Sequence, residues 1–473
     1  MFLYIFLGGL LLLFTVLLVN TGRHTARARK LQAPMPSDEP MPDITGLQKM
    51  LQCETVSSES SYDDREFAKL RQVMEESFPL VHSHAQRMIF SDDCWIYKLP
   101  GKDPSRKIML MSHHDVVAGG EDWQHPAFGG EIAHGKLWGR GSVDTKTPLF
   151  AEFYALETLL AAGFVPECNV YIGSSHNEEI SGDGIPKALA WFQEQGITFE
   201  VILDEGGAVI EPPLAGMKCE KCAMVAVHEK GRYYIHCTTS ATGGHGSLTA
   251  ATQSTPAERM AGFIHEVSRK NPFVRRLNPQ VTAMFEALAP YCGLPMRILF
   301  SNLWLFGGLL KNVIPKLNPQ AGSMLGTTCT FQKLHTAQDK SCTATAFLRN
   351  VDETDFQKDL DTLGTMGKKY GIELEIDERS EYHGPADLAH PGYAYTMDCI
   401  AKVFPQYPGV PFILPAGTDA RHFTDICPCV LRFAPIRLSA QQLASVHNKD
   451  ENLDLDAIGP AIRFYQHFLE NYK

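Results

Sequence analysis

Short apolar runs that end in polar loops dominate the first half of the chain. The clearest run, residues 108–111, passes directly into Ser112, His113, His114 and Asp115. Because side chains alternate between the two faces of a strand, His113 and Asp115 point to the same side at the end of a predicted buried strand. A metal-ligating histidine usually donates its other ring N–H to a carboxylate or carbonyl, and Asp115 is placed to accept it. A hydrogen-bonded histidine beside an acid has the same pattern, so this stretch alone leaves both interpretations open.

The same arrangement recurs farther along the chain. The apolar run 170–174 leads into Glu178 and Glu179, and the run 201–203 ends at Asp204. Asp144 follows a glycine-rich connection and precedes a segment with helical periodicity. Strands, polar loops and helices in alternation predict an α/β fold, with a central, largely parallel sheet flanked by helices. Functional groups in such a sheet gather beyond the carboxyl ends of the strands, so these acids and His113 are expected at one edge.

The pattern changes between residues 229 and 381. Here we find a strand-like run at 233–239, a helical pattern at 256–270, a long irregular stretch, and a second strand and helix at 344–349 and 354–370. This texture is typical of an α+β domain. We therefore predict a catalytic domain built from residues 43–228 and 382–473, interrupted by an inserted α+β lid domain at residues 229–381.

The N-terminus predicts a membrane anchor. Residues 1–22 carry no charged side chain and residues 2–19 are almost wholly apolar, which is close to the roughly 20 residues that cross a bilayer. A cleaved signal peptide is the alternative, but signal peptides usually carry their basic residues before the apolar run. Here Arg23, Arg27, Arg29 and Lys30 follow it, in a basic flank and proline-rich linker at 23–42. That asymmetry favours a transmembrane helix at 1–22 with the body on the cytoplasmic side.

Composition narrows the range of partners. The net charge of −11 and the absence of a basic block argue against nucleic acid. The twelve cysteines are scattered, which is typical of free thiols in a reducing compartment. Neither the Cys219/Cys222 pair nor the Cys427/Cys429 pair is followed by a second pair at zinc-ribbon spacing, so a structural zinc site is not predicted there.

Seven short motifs, taken in order, resemble those of the dizinc exopeptidase and aminoacylase family of metallopeptidases. They are His113-x-Asp115-Val-Val, Gly139-Arg-Gly-Ser-Val-Asp144-x-Lys, His176-Asn-Glu178-Glu179-x-Ser-Gly, Asp204-Glu-Gly-Gly, Gly244-His245-x-Ser, Gly417-Thr-Asp-x-Arg421-His and a late His447. Each motif is short, but their joint order is specific and spans nearly the whole body. The segment 302–306 and the apolar N-terminus resemble the branch that holds carboxypeptidase S and the N-fatty-acyl-amino-acid hydrolase/synthase.

The resemblance implies two Zn²⁺ ions per subunit. His113 and Asp204 would hold one ion, Glu179 and His447 the other, and Asp144 would bridge them. Glu178 would be the general base, and the catalytic role of Asp115 would be to support His113. A hydroxide between the ions would attack an amide, since a metal ion can lower the pKa of bound water from about 15.7 towards about 7.

The resemblance also implies two substrate contacts. His245, in a Gly-His loop of the lid, would face the substrate carbonyl, with a homodimer through the lid as the expected assembly. Arg421 would bind the substrate carboxylate, because a guanidinium matches a carboxylate at two points. The lid departs from the branch in that Gly326 stands where an arginine is usual, and Asn312 comes too early to take the usual asparagine's role.

The predicted function is metal-dependent hydrolysis of an amide or peptide bond next to a free carboxylate. The expected substrates are small peptides or N-acyl amino acids, and the residues leave carboxypeptidase and N-acyl-amino-acid deacylase or synthase activity both open. A membrane-tethered, non-catalytic binding or scaffold protein of the same fold is the alternative outside the enzymes. Such a protein would normally have lost a ligand or the base, and the sequence retains all of them.

Overall fold

A nine-stranded mixed sheet forms the centre of the structure, a computed structural model that describes residues 1–33, 40–58, 62–214, 216–240, 255–337 and 341–473. The strands of all sheets in the described residues are β1 (Gln86–Phe90), β2 (Cys94–Leu99), β3 (Asp103–Met111), β4 (Glu131–Ala133), β5 (Lys136–Trp138), β6 (Cys168–Ser174), β7 (Val201–Asp204), β8 (Val209–Ile210), β9 (Cys222–Glu229), β10 (Tyr233–Thr239), β11 (Thr328–Thr336), β12 (Cys342–Arg349), β13 (Glu373–Ile376), β14 (Gly409–Leu414), β15 (Val430–Arg432) and β16 (Asn452–Asp454).

Helices cover both faces of this sheet, α5 and α15 on one and α6 on the other. The helices of the described residues are α1 (Phe2–Arg27), α2 (Thr45–Leu51), α3 (Asp64–Ser77), α4 (Pro79–His84), α5 (Lys146–Ala161), α6 (Gly184–Glu194), α7 (Pro256–Lys270), α8 (Pro279–Leu288), α9 (Leu294–Phe300), α10 (Leu303–Leu317), α11 (Pro319–Ser323), α12 (Glu353–Lys369), α13 (Pro391–Val403), α14 (Ala440–Ser445) and α15 (Ile458–Asn471). Short 3-10 helices occupy Ala289–Tyr291, Asp419–Asp425 and Leu455–Ala457.

The strand order of the large sheet is β1-β2-β6-β3-β7-β15-β9-β14, with β8 beside β9. The centre is parallel, since β3 pairs in parallel with β6 and β7, and β7 with β15. The strands β1, β2 and β8 pair antiparallel, so the sheet as a whole is mixed. The predicted α/β class with a sheet flanked by helices is confirmed.

Alternation along β3 explains why the sheet is covered on both sides. Ile108 and Leu110 pack into a core with α5 and α15, whereas Met109 and Met111 pack into another core with α6. All four side chains are at most 2% exposed. A parallel strand buried on both faces reads as a continuous apolar run, and this property made β3 recognisable in the sequence.

A second sheet of four antiparallel strands lies in the range predicted for the lid. Its order is β11-β12-β10-β13. Helices α7 and α12 cover one face through Phe263, Phe356 and Leu363. The domain bounds at residues 228/229 and 381/382 stay a prediction.

The stretch after Lys270, which the sequence predicted to be irregular, is largely helical. Helices α8 to α11 fill residues 279–323 and pack on β14 of the large sheet rather than on the four-stranded sheet. Pro279, Pro295 and Pro319 each lie in the first turn of a helix. Proline is tolerated there because the first N–H groups have no intrahelical partner, so these prolines begin helices instead of breaking them.

The N-terminal helix is joined to the body at its C-terminal end. Asn302 is fully buried, and its Nδ2 donates to the Leu17 carbonyl at 3.2 Å and lies 3.3 Å from Thr21 Oγ1. Beyond the helix, Arg29 donates to the carbonyl oxygens of Ala401 and Tyr407. Within the described residues α1 is the single helix that is long and apolar enough to cross a membrane, with a mean hydropathy of 2.7.

The cysteines are free thiols in the structure, and eleven of the twelve are buried. Cys219 and Cys222 lie close together, with their Sγ atoms 3.6 Å apart. Burial raises the pKa of Cys427 to about 12. Such a thiol stays protonated at neutral pH, which agrees with the interpretation of the cysteines as free thiols.

A buried ion pair ties β9 to β15, and its removal is expected to destabilise the fold. Glu229 accepts hydrogen bonds from Arg432 Nε at 2.5 Å and from the Thr418 amide at 3.0 Å, and both charged side chains are at most 5% exposed. Glu229→Ala would leave Arg432 buried without its partner, so the free energy of unfolding should fall by about 3 to 5 kcal/mol in denaturant titrations. The control is Glu167→Ala, whose partner Lys102 is largely exposed and whose loss should cost about 1 kcal/mol or less. An equal loss in both variants would contradict the structural role of Glu229.

Candidate active site

One carboxylate orients both His113 and the acidic turn at the end of β6. Asp115 is fully buried, and His113 Nδ1 lies 3.0 Å from its carbonyl oxygen and 3.3 Å from its Oδ1. The two carboxylate oxygens also accept the amide N–H groups of Glu178 and Glu179, at 3.2 and 3.1 Å, and the Ser57 hydroxyl at 2.5 Å. Asp115 can therefore accept the N–H at Nδ1 of His113, which turns Nε2 towards the other acids of the site.

Asp144 lies between two imidazoles. Its Oδ1 is 3.0 Å from His113 Nε2 and its Oδ2 is 3.0 Å from His447 Nε2. His447 Nε2 is also 3.0 Å from Glu179 Oε2. Burial would raise the pKa of Asp144, but hydrogen bonds to His113 and His447 hold it below its usual range. The structure thus brings together His113, Asp144, Glu179 and His447, from four separate parts of the chain.

Glu451 positions the loop that carries Asp144, and the sequence did not reveal it. Its Oε1 accepts the amide N–H groups of Gly141, Val143 and Asp144 at 3.1, 2.7 and 3.1 Å. Its Oε2 accepts Arg140 Nη1 at 2.6 Å. The only signal in the sequence was an acid four positions after His447, which is compatible with a solvated turn.

His447 reaches the site from a strained turn. Its φ is 59°, in the left-handed region, which costs a non-glycine residue about 1 to 2 kcal/mol. Strain of this kind persists where the surroundings determine the conformation, and it is common at functional sites.

Asp204 and Glu205 are adjacent in the chain but have different surroundings. The Asp204 carboxylate accepts the amides of Glu205 and Ala420, at 2.8 and 2.9 Å. Glu205 lines the same cavity as Asp144 and Glu178. Burial, reinforced by Asp144 and Asp204, raises the pKa of Glu205 well above its usual range.

The donor set fits metal ions. The ligand atoms of His113, Asp144 and Glu179 lie within 4.8 Å of one another. Glu179 Oε1 is buried and has no hydrogen-bond partner among the described residues. Imidazole nitrogens and carboxylate oxygens are common zinc ligands, and a bound cation offsets the cost of gathering buried carboxylates.

The cavity beside these residues has a volume of about 450 Å³ and a mixed lining. Its polar part includes the acids, among them Glu178, and the Gly417–Thr418 turn. Its apolar part consists of Val143, Ala208, Leu414, Ala416, Ala434, Ile436, Leu438, Leu443 and Val446. Burial raises the pKa of Glu178 well above its usual range, and the nearby carboxylates of Asp419 and Asp115 add to this shift.

Several arginine side chains lie near Gly417, at the edge of the cavity. Arg421 is 4% exposed; its Nε donates to Glu381 at 3.0 Å and its Nη1 to the Thr418 carbonyl at 2.6 Å. Arg349 Nη2 donates to the Lys230 carbonyl, and its buried Nε has no partner among the described residues. A methyl group at Gly417 would lie 3.7 Å from Arg349 and 3.8 Å from Arg421. Both guanidinium groups therefore approach the edge of the cavity, although the sequence motifs indicated only Arg421.

His245 lies outside the described residues, so its predicted contact with substrate stays a prediction.

The chain matches one family model over most of its length. The model, described as peptidase family M20/M25/M40, covers residues 109–471. N-fatty-acyl-amino acid synthase/hydrolase from Xenopus tropicalis is 30% identical over 490 aligned positions, which cover 98% of this chain and 94% of the relative. A carboxypeptidase S-like protein 2 from Dictyostelium discoideum is 28% identical, over 98% of this chain and 92% of its own length.

The fold also matches solved structures. An M20 family metallo-carboxypeptidase from Sulfolobus solfataricus superposes with a TM-score of 0.65 at 16% identity, covering 91% of this chain and 99% of the other. At this level of identity the likeness concerns the fold.

Glu451→Gln should weaken metal binding without removing a ligand. The amide can still accept hydrogen bonds, but it lacks the charge that orders three amides and Arg140 around the Asp144 loop. Changing groups that orient metal ligands typically costs 10-fold to 100-fold in metal affinity. Competition with a fluorescent chelator would measure it, with Glu131→Gln, which removes an exposed contact to His125, as the control. Unchanged affinity in Glu451→Gln would show that the loop holds Asp144 without it.

Proposed function

The chain belongs to peptidase family M20/M25/M40, and from that premise we propose that it hydrolyses the amide bond of amino acids that carry an apolar acyl group, next to a free carboxylate. The motifs had predicted this family of metal-dependent hydrolases, and the comparisons confirm it. The observation that supports the narrower proposal is a cavity whose lining combines acids and His447 with nine apolar residues. A fatty or other apolar acyl group suits that apolar lining better than the polar backbone of a peptide does.

Two zinc ions are the cofactors we propose. His113 and Asp144 would hold one ion and Glu179, His447 and Asp144 the other. For the remaining carboxylate we propose Glu205 in place of Asp204, because Glu205 lines the cavity while backbone amides occupy the Asp204 oxygens. When bound, the ions would supply Lewis acidity at the scissile carbonyl and at the attacking water.

Glu178 is the general base of the proposed reaction. It lines the cavity, and the Asp115 oxygens hold its backbone amide and that of Glu179 in a fixed turn. This leaves the Glu178 carboxylate to take the proton from water and to pass it to the leaving nitrogen. The raised pKa of Glu178 suits the second step, in which the residue acts as an acid.

In this proposal the arginines near Gly417 bind the substrate carboxylate. Arg421 retains the role predicted for it as part of this positive group, although its guanidinium already contacts Glu381 and Thr418. Arg349 forms no ion pair with a carboxylate among the described residues, and its Nε is free to donate. Burial lowers the pKa of Arg349 to about 10; Glu229 opposes this shift, and the neighbouring Arg232 and Arg421 add to it, so an incoming anion would relieve the repulsion among the three arginines.

The N-terminal helix serves, in our proposal, as a retained membrane anchor. Its last turns and the following Arg29 make hydrogen bonds with Asn302, Ala401 and Tyr407 of the body. Cleavage after the apolar run would uncover the buried Asn302 amide, which favours retention. The cytoplasmic side for the body, a homodimer through the lid and the contact from His245 stay predictions.

The Glu178→Gln variant should keep its metal, and its kcat should fall by about 10²-fold to 10⁴-fold, because an amide cannot accept the proton of the attacking water. Metal content by mass spectrometry and turnover of an N-acyl amino acid would be measured together. Glu179→Gln is the matched control, since it replaces a proposed ligand next in the chain and should lower metal content itself. Normal turnover by Glu178→Gln would remove Glu178 from the role of base.

Comparing N-acyl amino acids with their C-terminal amides tests how the enzyme binds the substrate carboxylate. Wild-type enzyme should cleave N-acyl amino acids much faster than their C-terminal amides. Arg349→Ala should raise the barrier for the acids by about 2 to 5 kcal/mol in kcat/KM and leave the slow reaction of the amides nearly unchanged. Arg349→Lys should rescue poorly, because it lacks the two-point geometry.

Arg421→Ala and Arg106→Ala complete this experiment. Arg106 pairs with Glu200 at the opposite end of β3 and should affect neither substrate. A selective loss in Arg421→Ala alone would assign the carboxylate to Arg421 and not to Arg349. Equal cleavage of acids and amides by wild type would contradict the proposed substrate class.

A further inference from the structure

Helices α9 and α10 form a bent apolar pair, which we call the elbow (Leu294–Phe300 and Leu303–Leu317), with 105° between the two helices. Together the two helices are long and apolar enough for a membrane segment, although each helix alone is too short. Leu294, Trp304 and Leu309 are 61 to 62% exposed. Elsewhere in the described body, large exposed apolar side chains such as Ile132 and Val165 are scattered singly. A cluster of this kind marks a surface that contacts something apolar.

The inner side of the elbow is fixed to the body. Leu303, Leu310 and Ile314 are at most 8% exposed and pack in the core formed by α8 and β14. These positions recur on one face of α10. The outer face, with Trp304, Leu305 and Leu309, is left uncovered by the described part of the chain.

The elbow is continuous with the proposed anchor. Its corner residue, Asn302, bonds to the Leu17 carbonyl, lies 3.3 Å from the Thr21 hydroxyl and accepts from Asn20 Nδ2 at 3.2 Å. Helix α1 is wholly exposed as far as residue 12 and meets the body from Leu13 onward. The anchor therefore leaves the body at the corner of the elbow.

The length of the anchor places this corner at the surface of the membrane. Residues 2–19 form an apolar run of 18 residues, which spans about 27 Å at 1.5 Å per residue. The hydrocarbon core is about 30 Å thick, so the whole run is needed to cross it. The membrane boundary then falls near Val19 and Asn20, at the level of Asn302.

Charge agrees with this placement. The elbow contains no acidic residue, and its basic residues are Arg297, Lys311 and Lys316, in a chain whose net charge is −11. Arg23, Arg27 and Lys30 follow the apolar run of α1 at the same boundary. Basic residues near a bilayer surface are attracted to anionic lipid headgroups, and tryptophan is enriched at that interface.

We propose that the elbow is a second membrane contact, which lies on a bilayer containing anionic phospholipid and inserts its outer face below the headgroups. The inference rests on the proposed retention of α1 as an anchor. The catalytic body is then held by the membrane at two points rather than tethered through one helix.

Depth-dependent quenching of a fluorophore tests the proposal on the full-length protein. The protein is reconstituted in vesicles of phosphatidylcholine and phosphatidylserine, with the partly buried Cys329 replaced by serine and a single environment-sensitive label on Leu309→Cys. A spin-labelled lipid, with the nitroxide just below the headgroups, should quench this label, while aqueous iodide should quench it at least 5-fold less than a control label. The control is Val165→Cys, an exposed apolar position on the body that should respond to iodide only.

Two further labels separate the possible failures. Leu10→Cys reports the anchor itself, and Leu294→Cys repeats the measurement at the other arm of the elbow. Lipid quenching at Leu10 with iodide quenching at Leu309 and Leu294 would overturn the elbow proposal and leave the anchor intact. Shielding of Leu309 from both quenchers would overturn it in favour of a protein partner, and iodide quenching at all three positions would overturn the anchor as well.

Discussion

Repulsion among buried carboxylates is the constraint that shapes the site and the elements around it. Asp115, Asp144, Glu178, Glu179, Asp204 and Glu205 all lie near the carboxyl ends of β3, β6 and β7. Backbone N–H groups satisfy the inner ones: two amides bind Asp115, and two others bind Asp204. The carboxylates that remain face the cavity, where a cation can offset their charge. The division between satisfied and cavity-facing acids thus decides which side chains can act as ligands.

A second consequence is that arginines lie at the edge of an acidic cavity. The acids and His447 line the cavity, and Arg232, Arg349 and Arg421 line a small neighbouring pocket, together with Glu229 and Glu381. Gly417 lines both, and a side chain there would project towards Glu229 and the guanidinium groups of Arg349 and Arg421. The substrate proposed above, with a carboxylate at one end and an apolar acyl group at the other, would be aligned by this arrangement before any bond is broken.

Local sequence patterns predicted much of this structure, and the exceptions have physical causes. Continuous apolar runs identified β3, β6 and β7, and the rule that functional groups gather at strand ends led to the prediction that His113, Glu179 and Asp204 lie at one edge of the sheet. Which of Asp204 and Glu205 faces the cavity depends on where the strand ends, since a shift of one residue reverses the direction of a side chain. Glu451 acts through contacts with residues 140–144, more than 300 positions away, which no local pattern encodes. Helices α8 to α11 were missed because proline in a first turn looks like a break.

The distribution of the proposed ligands along the chain sets an order in which the centre can be completed during translation. His113, Asp144 and Glu205 all precede the predicted inserted segment, whereas His447 and Glu451 follow it. His447 is the 268th residue after Glu179, and synthesis of that stretch takes about 13 to 54 s at roughly 5 to 20 residues per second. Throughout that interval the nascent chain carries every ligand proposed for one ion but only two of the three, Asp144 and Glu179, proposed for the other. With these proposed ligand sets, the second ion would gain its last ligand only after His447 has been synthesised.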